Sequence, residues 1–509
     1  MIVPRMLLRS VERTPERDAL VNIETGRRYT YRELQTEVHR IANALRERGV
    51  SNGDRVAIAM RNSAEHVLLN LATQYAGAVA VPFNHRSAPE TVAYHLGDAD
   101  PALFAYDDAL RETVEDAHDD LPCEVFVDAG EGESTVGDDF ASLRDAPADR
   151  PEVDVDPDDP SVILYTSGTT GRPKGVPLSH RSAVLRAIDT SLAQHSYVEG
   201  DVTLSTMPLY HTIGLHSNCL SRFALSGTFV PMPEFDPGRY LEIIDRESVS
   251  LIFTAPTVLN QLVGHDRIGD ADLSSVRVLG YGGSPISEHV VERAREHLAP
   301  DRMINIYGST ETYHPLALVD PTDSGRNGAF YRRRIVELGT DDPTAEVDVG
   351  ETGELIVDTN SPIVFDAYWQ KPAETDAAIH DGWFFSGDTA YETSDGRTVI
   401  SGRASTTSST TPSRGRRPGN STASAPGDST RTSESALSGI RRSAGRFAGR
   451  RSNRGRVRGS RTQNIVKKYL MRELYDHALL SSTAFRVCLG RRNRVLGPCR
   501  EPSTPRGFV

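Results

Sequence analysis

The sequence predicts an α/β fold with mostly parallel strands over residues 1–403, followed by a tail, residues 404–509, that carries no fold signal. Three observations lead there. Short apolar runs of β type alternate with helix-period patterns throughout the first part. Charge divides at the same point: residues 404–509 hold 22 Lys+Arg against 5 Asp+Glu, while residues 1–403 hold 35 against 65, within a net charge of −13 for 509 residues. From Ala404 onward Ser, Thr, Arg, Gly and Pro displace the periodic pattern.

In chain order, strands are expected at 55–60, 78–81, 103–106, 162–166, 251–254, 276–281 and 303–307, and helices at 31–48, 64–75, 179–193 and 287–297. Residues 130–159, rich in Asp, Pro, Glu and Gly, read as an exposed connection. With 38% hydrophobic residues the chain can bury a sizeable core in roughly two to four domains. Apolar stretches such as 67–71 and 76–81 fall far short of the ~20 residues that cross a bilayer, and no charged-then-apolar segment opens the chain. A soluble cytoplasmic protein is therefore expected. Cys123, Cys219, Cys488 and Cys499 form no CxxC, so neither a disulfide framework nor a zinc site is indicated. The first 403 residues contain only two lysines, Lys174 and Lys371; an acidic, lysine-poor surface suits concentrated salt, where repulsion is screened, and a salt-adapted host is expected.

The tail cannot offset its chain entropy by burial, so disorder is expected. An Arg-rich polar segment has a functional reading, phosphate contacts with nucleic acid. Against it, the tail lacks aromatic interleaving, and the switch is abrupt and falls inside a motif. A reading-frame change is the preferred account.

The strongest local signal is Leu164-Tyr165-Thr166-Ser167-Gly168-Thr169-Thr170-Gly171-Arg172-Pro173-Lys174-Gly175, after a strand and before a helix candidate. Its glycines allow tight turns that present N–H groups, its hydroxyls add donors, and Lys174 brings a point charge to a polyphosphate. The spacing is not that of a Walker A loop, because Gly168 lies three residues before Gly171 and Gly175 follows Lys174. The chain has neither a G-x-S-x-G elbow nor an HExxH metal motif.

This loop resembles the signature of the adenylate-forming superfamily, which includes acyl-CoA synthetases, aryl-CoA ligases, peptide-synthetase adenylation domains and luciferases. Further motifs follow in the family's order: Met207-Pro208-Leu209-Tyr210-His211-Thr212-Ile213-Gly214-Leu215, Gly280-Tyr281-Gly282-Gly283-Ser284-Pro285, Asn305-Ile306-Tyr307-Gly308-Ser309-Thr310-Glu311-Thr312, Trp383-Phe384-Phe385-Ser386-Gly387-Asp388-Thr389, and Gly402-Arg403 at the start of a hinge. The resemblance implies the large, multi-subdomain N-terminal domain of the adenylate-forming fold over 1–403. It also implies ATP bound by Thr166, Ser167, Gly168, Thr169, Thr170, Gly171 and Lys174, with Gly282, Gly283 and Ser284 passing the adenine and acyl group. Tyr307 stacks on adenine beside Gly308 and Ser309, Thr310 contacts phosphate, Asp388 accepts the ribose hydroxyls, and Arg403 and Lys174 neutralise charge. Mg²⁺ falls to Thr166 and Glu311, and His211 gates the acyl carboxylate.

The implied chemistry is attack of a carboxylate on the α-phosphorus of ATP, loss of pyrophosphate, and transfer of the acyl group to coenzyme A. Fatty and aryl acids both remain open, with a fatty acid preferred. The chain departs from the family after Arg403: Thr406 stands where a hinge Asp or Lys is expected, and neither Lys467 nor Lys468 lies in a late glycine-lysine motif. The small C-terminal domain is expected to be lost, leaving slow adenylate formation and almost no thioester. The alternative reading is a non-catalytic nucleotide-binding protein whose basic tail contacts nucleic acid.

Overall fold

The computed structural model describes residues 1–132, 135–166, 171–190, 197–284, 286–319 and 331–404, with backbone alone for 314–319. The chain divides into units Met1–Ser405 and Thr406–Val509, and all described residues belong to the first. The expectation of a disordered tail lies outside the described residues.

Two large sheets are parallel except at their ends. The seven-stranded one runs, in spatial order, Asp138–Asp139, Phe126–Asp128, Leu103–Tyr106, Arg55–Ala59, Val79–Pro82, Pro160–Thr166 and Lys174–Ser179, with only the last pair antiparallel. The eight-stranded one runs Tyr313–Val319, Arg302–Ser309, Val278–Gly282, Leu251–Thr254, Val202–Ser205, Thr228–Pro231, Asp18–Val21 and Arg28–Thr30, antiparallel at its first and last pairs. Several of their inner strands, such as Leu103–Tyr106 and Leu251–Thr254, are short and buried along their whole length, because helices cover both faces of a parallel sheet. The α/β class with mostly parallel strands is thus observed.

A third sheet, Arg333–Val336, Gly353–Asp358, Trp383–Glu392 and Ile379–His380, with Thr398–Arg403 paired beside Trp383–Glu392, is wholly antiparallel. The sequence reading picks out none of it; Gly353–Asp358 is mostly buried, but its other strands are only part-buried. Trp383–Glu392, for example, is mostly of intermediate exposure.

Helices Tyr31–Glu47, Ala64–Tyr75 and Glu288–Leu298 match expectation closely. The first is started by a capping box: the Thr30 side chain accepts from the Glu33 N–H at 3.2 Å and the Glu33 carboxylate accepts from the Thr30 N–H at 2.8 Å. The helix expected at 179–193 is His180–Asp189, with Ser179 as its cap; the remainder reaches residues that are not described. The connection 130–159 is less free than its composition suggests. Phe140 and Leu143 are buried, and side chains of helix Tyr31–Glu47 donate to its carbonyls, Asn43 to Pro147 and Asp149 at 2.8 Å each and Arg46 to Glu152 at 3.0 Å.

The Gly/Thr-rich loop follows a strand and precedes a helix as expected, with one unanticipated strand in between: Lys174–Ser179 returns antiparallel to Pro160–Thr166, pairing Thr166 with Lys174 and Tyr165 with Gly175. The helix begins only at His180. Alternate burial of Val176 and Leu178 gives this stretch a strand's period.

Candidate active site

Five sequence-selected regions meet through three linking side chains, two of which sequence reasoning missed. The first link is Tyr368. The Lys174 ammonium lies 4.1 Å from the centre of its ring, and its hydroxyl donates to Glu311 Oε1 at 3.0 Å. Burial, and then the Glu311 carboxylate, push the Tyr368 phenol well above its ordinary value, so it stays a donor at any working pH. Lys174 is thereby held by the face of the ring and Glu311 by its hydroxyl. Thr166 donates to the Lys174 carbonyl at 3.4 Å, Gly171 is exposed, and Ser167, Gly168, Thr169 and Thr170 lie outside the described residues.

The second link is Arg186, fully buried. Its guanidinium donates to the Thr310 carbonyl at 3.1 Å, the Ile363 carbonyl at 2.7 Å and the Thr212 hydroxyl at 3.2 Å. Burial lowers its pKa to about 10, which still leaves it charged at neutral pH. One cation thus ties the residue after His211 to the residue before Glu311. Glu311 is 8% exposed and sits on the turn joining Arg302–Ser309 to Tyr313–Val319. There the Ser309 hydroxyl accepts from the Thr312 N–H at 3.2 Å. The turn is finished by Tyr313 in the left-handed region at φ 64°, an uncommon state for an aromatic residue. It is held by its hydroxyl's bonds to the Arg186 carbonyl at 3.0 Å, to Ser217 at 2.9 Å and to Thr190.

The third link is Tyr307, which sequence reasoning did select. Its hydroxyl donates to Asp388 Oδ2, its ring packs on the cluster Ile335, Leu355 and Ala390, and burial followed by Asp388 pushes its phenol up. Arg403 faces Asp388 across Trp383–Glu392 and Thr398–Arg403, with its Nε 3.4 Å from Asp388 Oδ1. Glu354, not anticipated, accepts from the Gly387 N–H at 2.9 Å, and burial and Asp388 hold its carboxyl above the usual range.

His211 is exposed, with its ring 4.6 Å from that of Tyr210; the surrounding protein mass lowers its pKa. A π-helix, Ile213–Leu220, follows it, an irregularity frequent at functional sites. Gly282 must be glycine, because a Cβ there would collide with the Ile306 carbonyl oxygen. Gly283 has φ +84°, Ser284 and Gly308 are exposed, and Pro285 is not described. Among the described residues no group of three or more His, Cys, Asp or Glu is placed to hold a metal. A lone Glu311 carboxylate suits Mg²⁺, which takes one or two protein oxygens and fills its sphere from phosphates and water.

Two missed residues had sequence signals. Arg186 stands between apolar neighbours, Val184, Leu185, Ala187 and Ile188, and the Tyr368-Trp369 doublet precedes Lys371, one of the two lysines.

Comparison with known proteins follows the same outline. The family model described as AMP-binding enzyme matches residues 7–369. The 4-chlorobenzoate–CoA ligase of Arthrobacter sp. is 31% identical over 400 residues, spanning 77% of this chain and 74% of that protein. The feruloyl-CoA synthase of Amycolatopsis sp. is 32% identical over 375 residues, spanning 73% and 72%. Among solved structures, the N-terminal domain of FACL13 from Mycobacterium tuberculosis superposes with a TM-score of 0.72 at 27% identity, over 79% of this chain and 99% of that one.

Proposed function

The chain belongs to the AMP-binding enzyme family, and on that premise we propose that it is an acid–thiol ligase that activates a carboxylic acid with ATP and passes the acyl group to coenzyme A. The observation that carries the proposal is the joining of Lys174, Glu311 and Thr310 around Tyr368 and Arg186, with Tyr307, on the strand that leads into Thr310, bonded to Asp388 beside Arg403.

In this reading the acid's carboxylate attacks the α-phosphorus, the bond to the pyrophosphate oxygen breaks, and acyl-AMP forms. Lys174 and Arg403 offset charge on the phosphates, Asp388 holds the ribose, and Thr310 contacts phosphate. Glu311 and Thr166 would hold Mg²⁺, which would supply charge neutralisation at the leaving pyrophosphate. His211, neutral near pH 7 because its pKa is lowered, borders the carboxylate without adding a charge. The coenzyme A sulfur then attacks the acyl carbon and releases AMP.

The relatives named above are ligases of chlorobenzoate and ferulate. An aromatic acid is accordingly the first candidate substrate, ahead of the fatty acid that the sequence alone favours. The region after Arg403 supports a further element, loss of the small domain: the comparison with the Arthrobacter ligase spans only 74% of that protein, and Thr406 replaces the expected hinge residue. Adenylate formation is then slow and thioester formation nearly absent.

Pyrophosphate exchange and thioester formation in high salt, with 4-chlorobenzoate, ferulate and octanoate in parallel, test all three parts. Acid-dependent exchange with any of them supports the ligase reading, and its absence at every acid overturns it. Octanoate as the best substrate reverses the acid assignment. Full turnover in both assays overturns the impairment.

A further inference from the structure

We propose that Asp98 is a positioning residue that clamps both arms of the ATP loop, through Tyr165 on the entering strand and through Lys371 and Trp369 on the leaving one. The inference rests on the ATP role assigned to that loop above.

Asp98 lies in the last turn of helix Pro89–Ala99, where a negative charge opposes the helix dipole. Its side chain is only 10% exposed. Such a placement is unfavourable in isolation, yet both oxygens are engaged away from the helix. Oδ2 accepts from the Tyr165 hydroxyl at 2.8 Å, and Oδ1 pairs with the Lys371 ammonium. The Asp98 carbonyl also accepts from the Trp369 indole N–H at 3.1 Å.

Each partner leads to the loop. Tyr165 is the residue before Thr166. The Trp369 N–H donates to the Gly175 carbonyl at 2.8 Å, next to Lys174, and the adjoining Tyr368 ring carries the Lys174 ammonium. From the same helix Tyr94 donates to the Pro173 carbonyl at 2.7 Å. The two ends of the loop therefore hang on one residue, its carboxylate through Tyr165 and Lys371 and its carbonyl through Trp369, and Lys371, the second lysine of residues 1–403, is the carboxylate's counter-charge. A role in setting loop geometry accounts for a buried carboxylate at an unfavourable helix end.

The test uses the full chain in high salt and compares Asp98→Asn, Tyr165→Phe, Lys371→Met and Lys371→Arg by hydrogen exchange and by calorimetric titration with ATP and with AMP. Tyr165→Phe removes one arm alone and guards against misfolding of Asp98→Asn. The expected result is faster exchange in 160–166 and 171–179 but not in the eight-stranded sheet. ATP is expected to bind about tenfold more weakly, as for loss of a charged hydrogen bond. AMP binding stays near wild type, and Lys371→Arg recovers most of what Lys371→Met loses. Unchanged exchange in those segments in folded Asp98→Asn and Tyr165→Phe overturns the clamp, as does equal weakening of ATP and AMP. Wild-type protein that binds no ATP overturns the ligase reading instead, and the exchange data still decide the clamp.

Discussion

Tyr368→Phe isolates one atom of the site. It deletes the donor to Glu311 Oε1, bonded at 3.0 Å, and keeps the ring 4.1 Å from Lys174. Losing a hydrogen bond to a charged acceptor costs about 1.5–3 kcal/mol. Glu311 retains 8% exposure, so water replaces part of the lost bond and the lower end applies, about 1.5 kcal/mol or roughly tenfold. The loss should fall on Mg·ATP binding and on pyrophosphate exchange, if Glu311 serves the metal and polyphosphate as proposed. Binding of AMP without metal should not change. Tyr368→Leu removes the ring as well and forfeits a further ~0.5–1 kcal/mol of cation–π attraction. That extra loss should vanish in a Lys174→Met background, since the ammonium is then gone. Calorimetric titration of the two variants and their Lys174→Met partners, at one fixed salt concentration, measures every term. Tyr368→Phe within twofold of wild type for Mg·ATP, or an equal loss for AMP, refutes the reasoning.

Asp388→Asn should weaken AMP and adenosine by about tenfold, because it removes a charged acceptor shared by Tyr307 and Arg403, while leaving pyrophosphate binding unchanged in direct titration. Gly282→Ala should lower the denaturation midpoint, costing about 1–3 kcal/mol by forced displacement of the Ile306 carbonyl, as chemical unfolding would show. His66, His95 and His180 are buried, and burial lowers each to about 4. Between that value and the unfolded ~6.5 the unfolded chain binds more protons, so stability present above pH ~6.5 is lost as pH falls toward 4, by several kcal/mol in sum. Unfolding at pH 7, 6 and 5 should show the decline, and His95→Gln should flatten it. Pyrophosphate exchange should fall in acid, below the ordinary imidazole range because the His211 pKa is lowered, and His211→Ala should lose that acid limb.

How much was legible in the sequence follows from the range of the forces involved. Strands such as 103–106 and 251–254 were readable because a fully buried strand writes its burial as an unbroken apolar run. The antiparallel sheet beyond residue 331 was not: most of its strands are half-exposed, which dilutes that signal, and the buried Gly353–Asp358 offers only a short apolar run, Leu355 to Val357. The loop motif was recognised by its residue types between a strand and a helix, and both are observed; the short strand 174–179 between loop and helix was missed, because its alternation runs straight into the helix candidate beyond. The motifs identified Lys174, Glu311 and Asp388 but not the side chains that hold them. Tyr368 reaches Glu311 across 57 residues, and Arg186 reaches Ile363 across 177. No local pattern encodes such a pairing; only an arginine amid apolar neighbours hints that a buried charge awaits distant carbonyls.

The two carboxylates assigned to metal and ribose share one design. Glu311 accepts from Tyr368 and Asp388 from Tyr307, and in both cases burial and the carboxylate itself push the phenol far up. A lysine or histidine partner would hold the acid more strongly, but it would cancel the charge that Mg²⁺ must meet, or it would titrate near neutrality. A tyrosine fixes one oxygen in direction and adds no formal charge, which at Glu311 leaves the negative charge to its ligand; Asp388 also faces the Arg403 guanidinium. Its ring also offers a face, used for Lys174 at one site and for packing against the antiparallel sheet at the other. Each tyrosine therefore sets the distance between an acid and a neighbouring element, and replacing either with phenylalanine should separate that positioning from the ring's packing.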